Sequence, residues 1–433
     1  MTAPSPAAPS PAPAKPAPSA RRVITAACVG NALEWYDIAV YSYFAVYISR
    51  AFFDNSDPAV GLLLALGTFA VSFLIRPIGA MVLGSYADRA GRTPALSLSL
   101  GLMVLGTLII CIMPTYASIG VLASVGILVA RLIQGFAAGG EFGSATAMMV
   151  EHLPGRRGFA ASWQFTSQAA SALIAAVLGT VLTTTMSEET LNSWGFRIPF
   201  IVGLLVGPVG IYIRRHVPEA EPTAEALADT RRKTPVREVL LGHKVAVLLT
   251  IGALAVTTCL NYMITYIPTY AINTLELPSS SGFIATVAGA VVLLIVTPLA
   301  GHLSDRWGPV PLMLPAAAAV LVLIYPMFAF MVAAPGVGVL VLVVGAMALL
   351  KGTYFGPLGG LMAGLFPSRV RATGMAVGYN IGVAIFGGFT PLVAQWLLGS
   401  TGIDAAPAFW VMVAAVASIS SLVVCRKRVP LRG

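Results

Sequence analysis

The stretch Gly30–Asn31–Ala32–Leu33–Glu34–Trp35–Tyr36–Asp37–Ile38–Ala39–Val40–Tyr41 lies inside the first long apolar segment, residues 23–48. A helix needs roughly 20 mainly apolar residues to cross a bilayer. This segment has that length, yet it carries two carboxylates near its middle. Glu34 and Asp37 are three apart, so on a helix they share one face. A charge at mid-bilayer costs at least ~2.5–3.5 kcal/mol on insertion scales, so such residues face a cavity or a partner. Two readings follow. The pair is a hydrogen-bonding lock onto a neighbouring helix, or it is a site that binds a proton or gates a substrate.

The rest of the composition sets the surroundings. Of 433 residues, 57% are hydrophobic and 10% are charged, against about 25% charged in soluble domains. Most of the chain therefore never meets water, and it reads as a polytopic membrane protein. The net charge of +9 does not point to nucleic acid. Most Lys and Arg residues lie in short loops between apolar runs, as topology signals do. The four cysteines (Cys28, Cys111, Cys259, Cys425) fall in apolar segments without ligand spacing, so neither a disulfide framework nor a metal site is expected.

Residues 1–20 are almost wholly Pro, Ala and Ser. They are expected to form a disordered cytoplasmic tail. Twelve apolar segments follow, at about 23–48, 59–86, 94–112, 118–150, 158–185, 195–214, 244–272, 281–303, 310–333, 336–364, 371–398 and 407–425. The widest polar gap, residues 215–243, splits them into halves, 21–214 and 244–426, with a short tail at 427–433. Basic residues crowd alternate loops (Arg89, Arg92; Arg156, Arg157; Arg306; Arg369, Arg371), whereas the opposite loops hold Arg50 with acidic residues such as Asp54, Asp57, Glu188 and Glu189. By the positive-inside rule both termini are cytoplasmic. Four cations are left inside the membrane: Arg76, Arg131, Arg197 and Lys351.

The halves carry matching loops. Gly84–Ser85–Tyr86–Ala87–Asp88–Arg89–Ala90–Gly91–Arg92 joins segments two and three, and Gly301–His302–Leu303–Ser304–Asp305–Arg306–Trp307–Gly308–Pro309 joins segments eight and nine. Repeated halves with equivalent loops point to a transporter whose site lies between them near mid-bilayer. The first loop resembles the signature of the major facilitator superfamily. The second is a degraded copy, with Pro309 where the last basic residue is usual. Arg131–Leu132–Ile133–Gln134–Gly135 resembles that superfamily's fourth-helix pattern. Residues 31–37, 73–79, 134–141, 194–200 and 384–388 together resemble the metabolite–proton symporters, a family of citrate, α-ketoglutarate, dicarboxylate, shikimate and proline/betaine carriers. The resemblance spans residues 22–425. It implies twelve transmembrane helices in two pseudo-symmetric six-helix halves, an all-α polytopic fold, in a bacterial inner membrane.

Several residues then acquire candidate roles. Asp88, Arg89 and Arg92, with Asp305 and Arg306 in the second copy, form a candidate latch in which the acid docks on the positive N-terminal end of another helix; the resemblance suggests segment eleven, near Arg371, for Asp88. Arg131 either pairs structurally with Glu34 or Asp37 or forms a proton-coupling unit with them. Glu141, further along the same helix, is a second proton-site candidate. Arg76 precedes Pro77, where it satisfies freed carbonyls or contacts an anion, since guanidinium matches carboxylate bidentately. Arg197 snorkels to the interface or contacts substrate. Lys351 has no acidic residue at its depth in the C-terminal half, which suits a substrate carboxylate. Segment seven carries a polar stripe that includes Asn261, Tyr262 and Thr265, with Tyr379 and Asn380 on segment eleven expected to face it.

The reading that results is a transporter, not an enzyme. It imports a small carboxylate, citrate or another di- or tricarboxylate, together with protons by alternating access. Protons are the coupling ion, no other cofactor or metal is expected, the surroundings are membrane lipids, and the chain is expected to act as a monomer. The excess of intramembrane cations is what favours an anion. The alternatives are a proline/betaine-type osmolyte carrier and, from another class, a non-transporting nutrient sensor.

Overall fold

The computed structural model describes residues 20–54, 56–90, 92–138, 146, 149–150, 153–204 and 236–428, which are almost wholly helical with no strand among them. Each of the twelve apolar segments carries helix. Eight described helices are long and apolar enough to cross a membrane, and Ser97–Ile112, Val121–Ala137 and Gly195–Leu204 are shorter apolar helices. The first span is less apolar because Asn31, Glu34 and Asp37 sit in it. The helices that position the site are α1 (Ala20–Tyr43), α2 (Ala45–Phe52), α3 (Pro58–Leu74), α4 (Arg76–Ala90), α5 (Arg92–Ile112), α6 (Val121–Ala137), α7 (Arg157–Thr185), α8 (Lys244–Asn273), α9 (Ser279–Trp307), α10 (Pro309–Ala333), α11 (Val337–Leu365), α12 (Arg371–Val383), α13 (Thr390–Thr401) and α14 (Pro407–Arg428).

Local chemistry sets where the spans start and bend. Asp57 caps α3, accepting from the backbone N–H groups of Ala59 and Val60 at 2.9 and 3.3 Å, with Pro58 at the first helical position, where its missing donor is harmless. Pro77 cannot donate a backbone N–H, and its ring crowds the carbonyl one turn earlier. The second span breaks at Ile75, between α3 and α4. Phe73 and Arg76 on either side of the break are both buried. The eleventh span is interrupted by a π-helical turn, Ala384–Gly388, the kind of irregularity that gathers at functional sites. Gly388 sits directly on Phe73: a Cβ there would lie 2.5 Å from the ring.

Among the described residues the two halves meet at three levels. In the middle, Trp35, Phe69 and Phe73 surround the Tyr262 ring at centroid distances of 6.3, 5.8 and 5.4 Å, and Phe165 stacks on Phe355 at 3.8 Å. On the side away from the basic loops, Ser42 donates to the Thr265 hydroxyl at 3.0 Å, and Tyr43 and Phe44 pack on Phe283. On the basic-loop side, α7 crosses α9. The Asp305 carboxylate accepts from the backbone N–H groups of Gly158 (2.6 Å) and Phe159 (3.0 Å) at the start of α7. The crossing needs glycine at 158, since a Cβ would lie 2.1 Å from Ser304 Oγ and 2.7 Å from the Gly301 carbonyl.

In the second loop copy the acid thus lies on the N-terminal end of another helix, the contact expected of the candidate latch. Asp305 neutralises two otherwise unpaired donors and the positive end of the α7 dipole. The side chains of Asp88, Arg89 and Arg92 lie outside the described residues. Arg306 is exposed. Asp305→Ala should weaken the state in which these ends meet by roughly 2 kcal/mol, a population shift of about 30-fold. A cysteine placed at the fully buried Ser162 should then be alkylated faster by about that factor. An unchanged rate would mean that Asp305 does not hold the ends together.

Candidate functional site

Asp37, on α1, is buried. Its Oδ2 accepts from the Thr107 hydroxyl on α5 at 2.8 Å, and its Oδ1 is buried with no hydrogen-bond partner among the described residues. Thr107 Oγ1 accepts from Gln134 Nε2 at 2.9 Å, and Gln134 Oε1 accepts from Arg131 Nη1 at 2.7 Å. Arg131 thus reaches Asp37 through two intervening side chains. Its guanidinium also donates to Ser72 Oγ at 3.3 Å and lies 4.2 Å over the Tyr41 ring and 5.2 Å over Phe69. A small crevice lined by Asp37, Ser72, Arg76, Arg131 and Gln134 opens beside this chain. The expected pair of Asp37 and Arg131 is brought together, but as a relay and not as a direct ion pair.

Arg76 is 3% exposed. Its guanidinium lies 4.2 Å over the Phe73 ring, its Nε is buried without a partner, and no described carboxylate lies within ion-pair distance of it. The Tyr262 hydroxyl, on α8, is likewise buried and unpartnered. Tyr262 and Tyr379 both stand within electrostatic reach of Arg76 and of Glu34. The break before Pro77 thus sets a cation against the seventh span, with Glu34 and Tyr379 close by.

Lys351, on α11, is 3% exposed. Its ammonium donates to Asn261 Oδ1 at 2.6 Å and sits 5.0 Å from the Phe355 ring centre. An ammonium has three donors, and the amide takes one. Among the described residues no carboxylate pairs with it. Asn261 and Tyr262 are adjacent on α8, so one helix places the lysine contact next to the Arg76 wall. Thr265, one turn on, bonds to Ser42 and to the Tyr262 carbonyl, which makes it a cross-half contact. Asn380 donates to the Ala376 carbonyl of its own helix at 3.0 Å.

The model of the Major Facilitator Superfamily matches residues 27–378 of the chain. The chain belongs to this superfamily. A citrate-proton symporter of Klebsiella pneumoniae is 34% identical over 395 residues, covering 90% of this chain and 88% of that one. A proline/betaine transporter of Salmonella typhimurium is 33% identical over 409 residues, covering 92% and 81%. Among solved structures, the partially occluded inward-open xylose transporter XylE from E. coli superposes with a TM-score of 0.74 at 16% identity, covering 95% of this chain and 98% of that one. The fold is thus the twelve-helix bundle of a superfamily of transporters, and the expectation of a transporter in place of an enzyme rests on that membership.

Two further sequence candidates are Arg197 and Glu141. Arg197 has both terminal nitrogens bound to backbone, Nη1 to the Cys111 carbonyl at 2.7 Å and Nη2 to that of Met113 at 2.6 Å. These carbonyls end α5, so the arginine closes a helix terminus with two of its five N–H donors, and its Nε is buried without a partner among the described residues. Glu141 lies outside the described residues. Conversely, sequence reasoning passed over Thr107, Gln134, Ser72 and Gln168. Gln168, on α7, is buried and within reach of the Tyr379 hydroxyl. For Gln134 a signal was present, three residues after Arg131 in the same helical pattern. For Thr107 there was none.

Proposed function

We propose that this protein is a proton-coupled symporter that imports a small organic acid, citrate or another di- or tricarboxylate, by alternating access. The observation that carries the reading is Lys351, a buried ammonium held by one neutral amide, with Arg76, a second buried cation lacking a hydrogen bond at Nε, across the Asn261–Tyr262 step. Neither is neutralised by a described acid, and an anion with two carboxylates would satisfy both. In this reading Asp37 carries the proton, with Arg131 tuning it through Gln134 and Thr107. The relatives named as citrate-proton symporters support both the coupling and the anion. The two halves (21–214 and 244–426) move about the central site, in a bacterial inner membrane with both termini cytoplasmic.

A proline/betaine-type carrier is the second reading, favoured by relatives of that name at similar identity and by Glu34 beside Tyr262 and Tyr379, which suits a cationic substrate group. The test is uptake of radiolabelled citrate into proteoliposomes under an inward proton gradient, with unlabelled succinate, proline and betaine as competitors. Citrate should accumulate, collapse with a protonophore, and be displaced by succinate. Competition by proline and betaine alone would overturn the carboxylate assignment.

A further inference from the structure

Thr107 stands at a branch point. Its single proton has two acceptors in reach, Asp37 Oδ2 at 2.8 Å and the Met103 carbonyl of its own helix at 3.0 Å. Its oxygen already accepts from Gln134 Nε2, and a hydroxyl has one donor and two lone pairs. With Asp37 ionised, the Thr107 proton points to Oδ2. With Asp37 protonated, the acid O–H can point to the second lone pair of Thr107 while the threonine proton turns to Met103. Both arrangements keep the Asp37–Thr107 and Gln134–Thr107 bonds at the same heavy-atom positions, and the bond to the Met103 carbonyl is made only when Asp37 is protonated.

Resting on the proton-coupling reading above, we propose that Thr107 is the positioning residue of the proton site, hydrogen-bonded to Asp37 in both of its protonation states. Gln134 is its companion. It fixes one lone pair of Thr107 and, with Ser72 and the Tyr41 and Phe69 rings, holds Arg131 off the carboxylate. A direct guanidinium contact would hold the acid ionised, whereas the spaced cation leaves it able to take up and release a proton. The charged and titratable groups around Asp37 are Arg131 from α6, Arg76 from α4, Cys111 from α5, and Glu34 and Tyr36 from its own helix; the Tyr36 hydroxyl is engaged with the Pro199 carbonyl at 2.9 Å. None of these donates a hydrogen bond to Asp37, and among the described residues the acid's hydrogen-bond partner is the threonine.

The test needs no substrate. Infrared difference spectra between high and low pH, recorded on the purified protein in lipid, report carboxylic acid C=O bands. The Asp37 band is the one that disappears in Asp37→Asn. In Thr107→Val, which keeps the shape and loses the hydroxyl, that band should move to higher frequency, as for an acid that has lost a hydrogen-bond partner. Thr107→Ala should do the same should the valine variant fold poorly, and Thr107→Ser should restore the wild-type frequency. A band that is identical in wild type and in the valine and alanine variants overturns the role of Thr107 while leaving Asp37 as the proton carrier. No band lost in Asp37→Asn overturns the coupling reading itself.

Discussion

Replacing Lys351 by methionine is expected to abolish uptake of the carboxylate and, at the same time, to raise the thermal stability of the protein. The two effects have one cause. Lys351 is 3% exposed, bonded to one amide oxygen and seated against Phe355. Without an anion its charge is uncompensated, and a cation at mid-helix in a bilayer costs at least ~2.5–3.5 kcal/mol. Methionine has nearly the same length and removes that cost, at the expense of one hydrogen bond to Asn261. When the substrate is present the balance reverses. Truncating one member of a buried, hydrogen-bonded charge pair loses about 2–5 kcal/mol, or roughly 30- to 4,000-fold in affinity.

A purely structural lysine gives the opposite pattern. If its role were to hold α11 to α8 through Asn261, its removal would lower the melting temperature and transport would fall only in proportion to folded protein. The measurement is therefore paired: a melting curve and initial uptake of labelled citrate, on the same preparation. Lower stability with normal turnover per folded molecule would return Lys351 to the scaffold. A trade of stability for function is the pattern expected where a site holds a group the fold alone does not need.

The spans were legible because a bilayer imposes one length and one composition on every helix that crosses it. The seventh, eighth and tenth spans lie where unbroken apolar length put them, with ends that differ by a few residues. The second loop copy was legible in place but not in weight. Pro309, which made it look degraded, is the first residue of α10 and follows Gly308 at φ +83°. There a proline opens a helix, and Asp305 four residues earlier still docks on α7. The partner of Arg131 was legible only as a class of residue. Thr107 was not, because hydroxyls that bond back to their own helix are common in membrane spans. What singles out this threonine is the rotation of α5 that aims it at Asp37, and no spacing within α5 encodes that. The partners of Arg197 were illegible for a similar reason: they are backbone carbonyls, which have no residue type to read.

Asp37→Asn is expected to destroy gradient-driven accumulation while leaving substrate exchange intact. Asparagine has the shape of a protonated aspartate and its Oδ1 can still accept from Thr107, so the relay to Gln134 and Arg131 keeps its geometry. What it lacks is the second protonation state. Each pH unit of gradient carries about 1.4 kcal/mol per proton, a tenfold accumulation of substrate for each proton coupled. A carrier fixed in the neutral form cannot draw on that energy, so the internal-to-external ratio should fall to about one at any gradient. Alternation itself needs no proton to leave, and counterflow of labelled against unlabelled citrate should proceed at a rate comparable to wild type. Glu34→Gln separates the two acids. It leaves the Thr107 contact untouched, and its gradient-driven ratio should stay above one. The reverse outcome, accumulation surviving in Asp37→Asn and lost in Glu34→Gln, would move the coupled proton to the wall formed by Arg76, Tyr262 and Tyr379. The two carboxylates that share a face in the first span would then have exchanged roles.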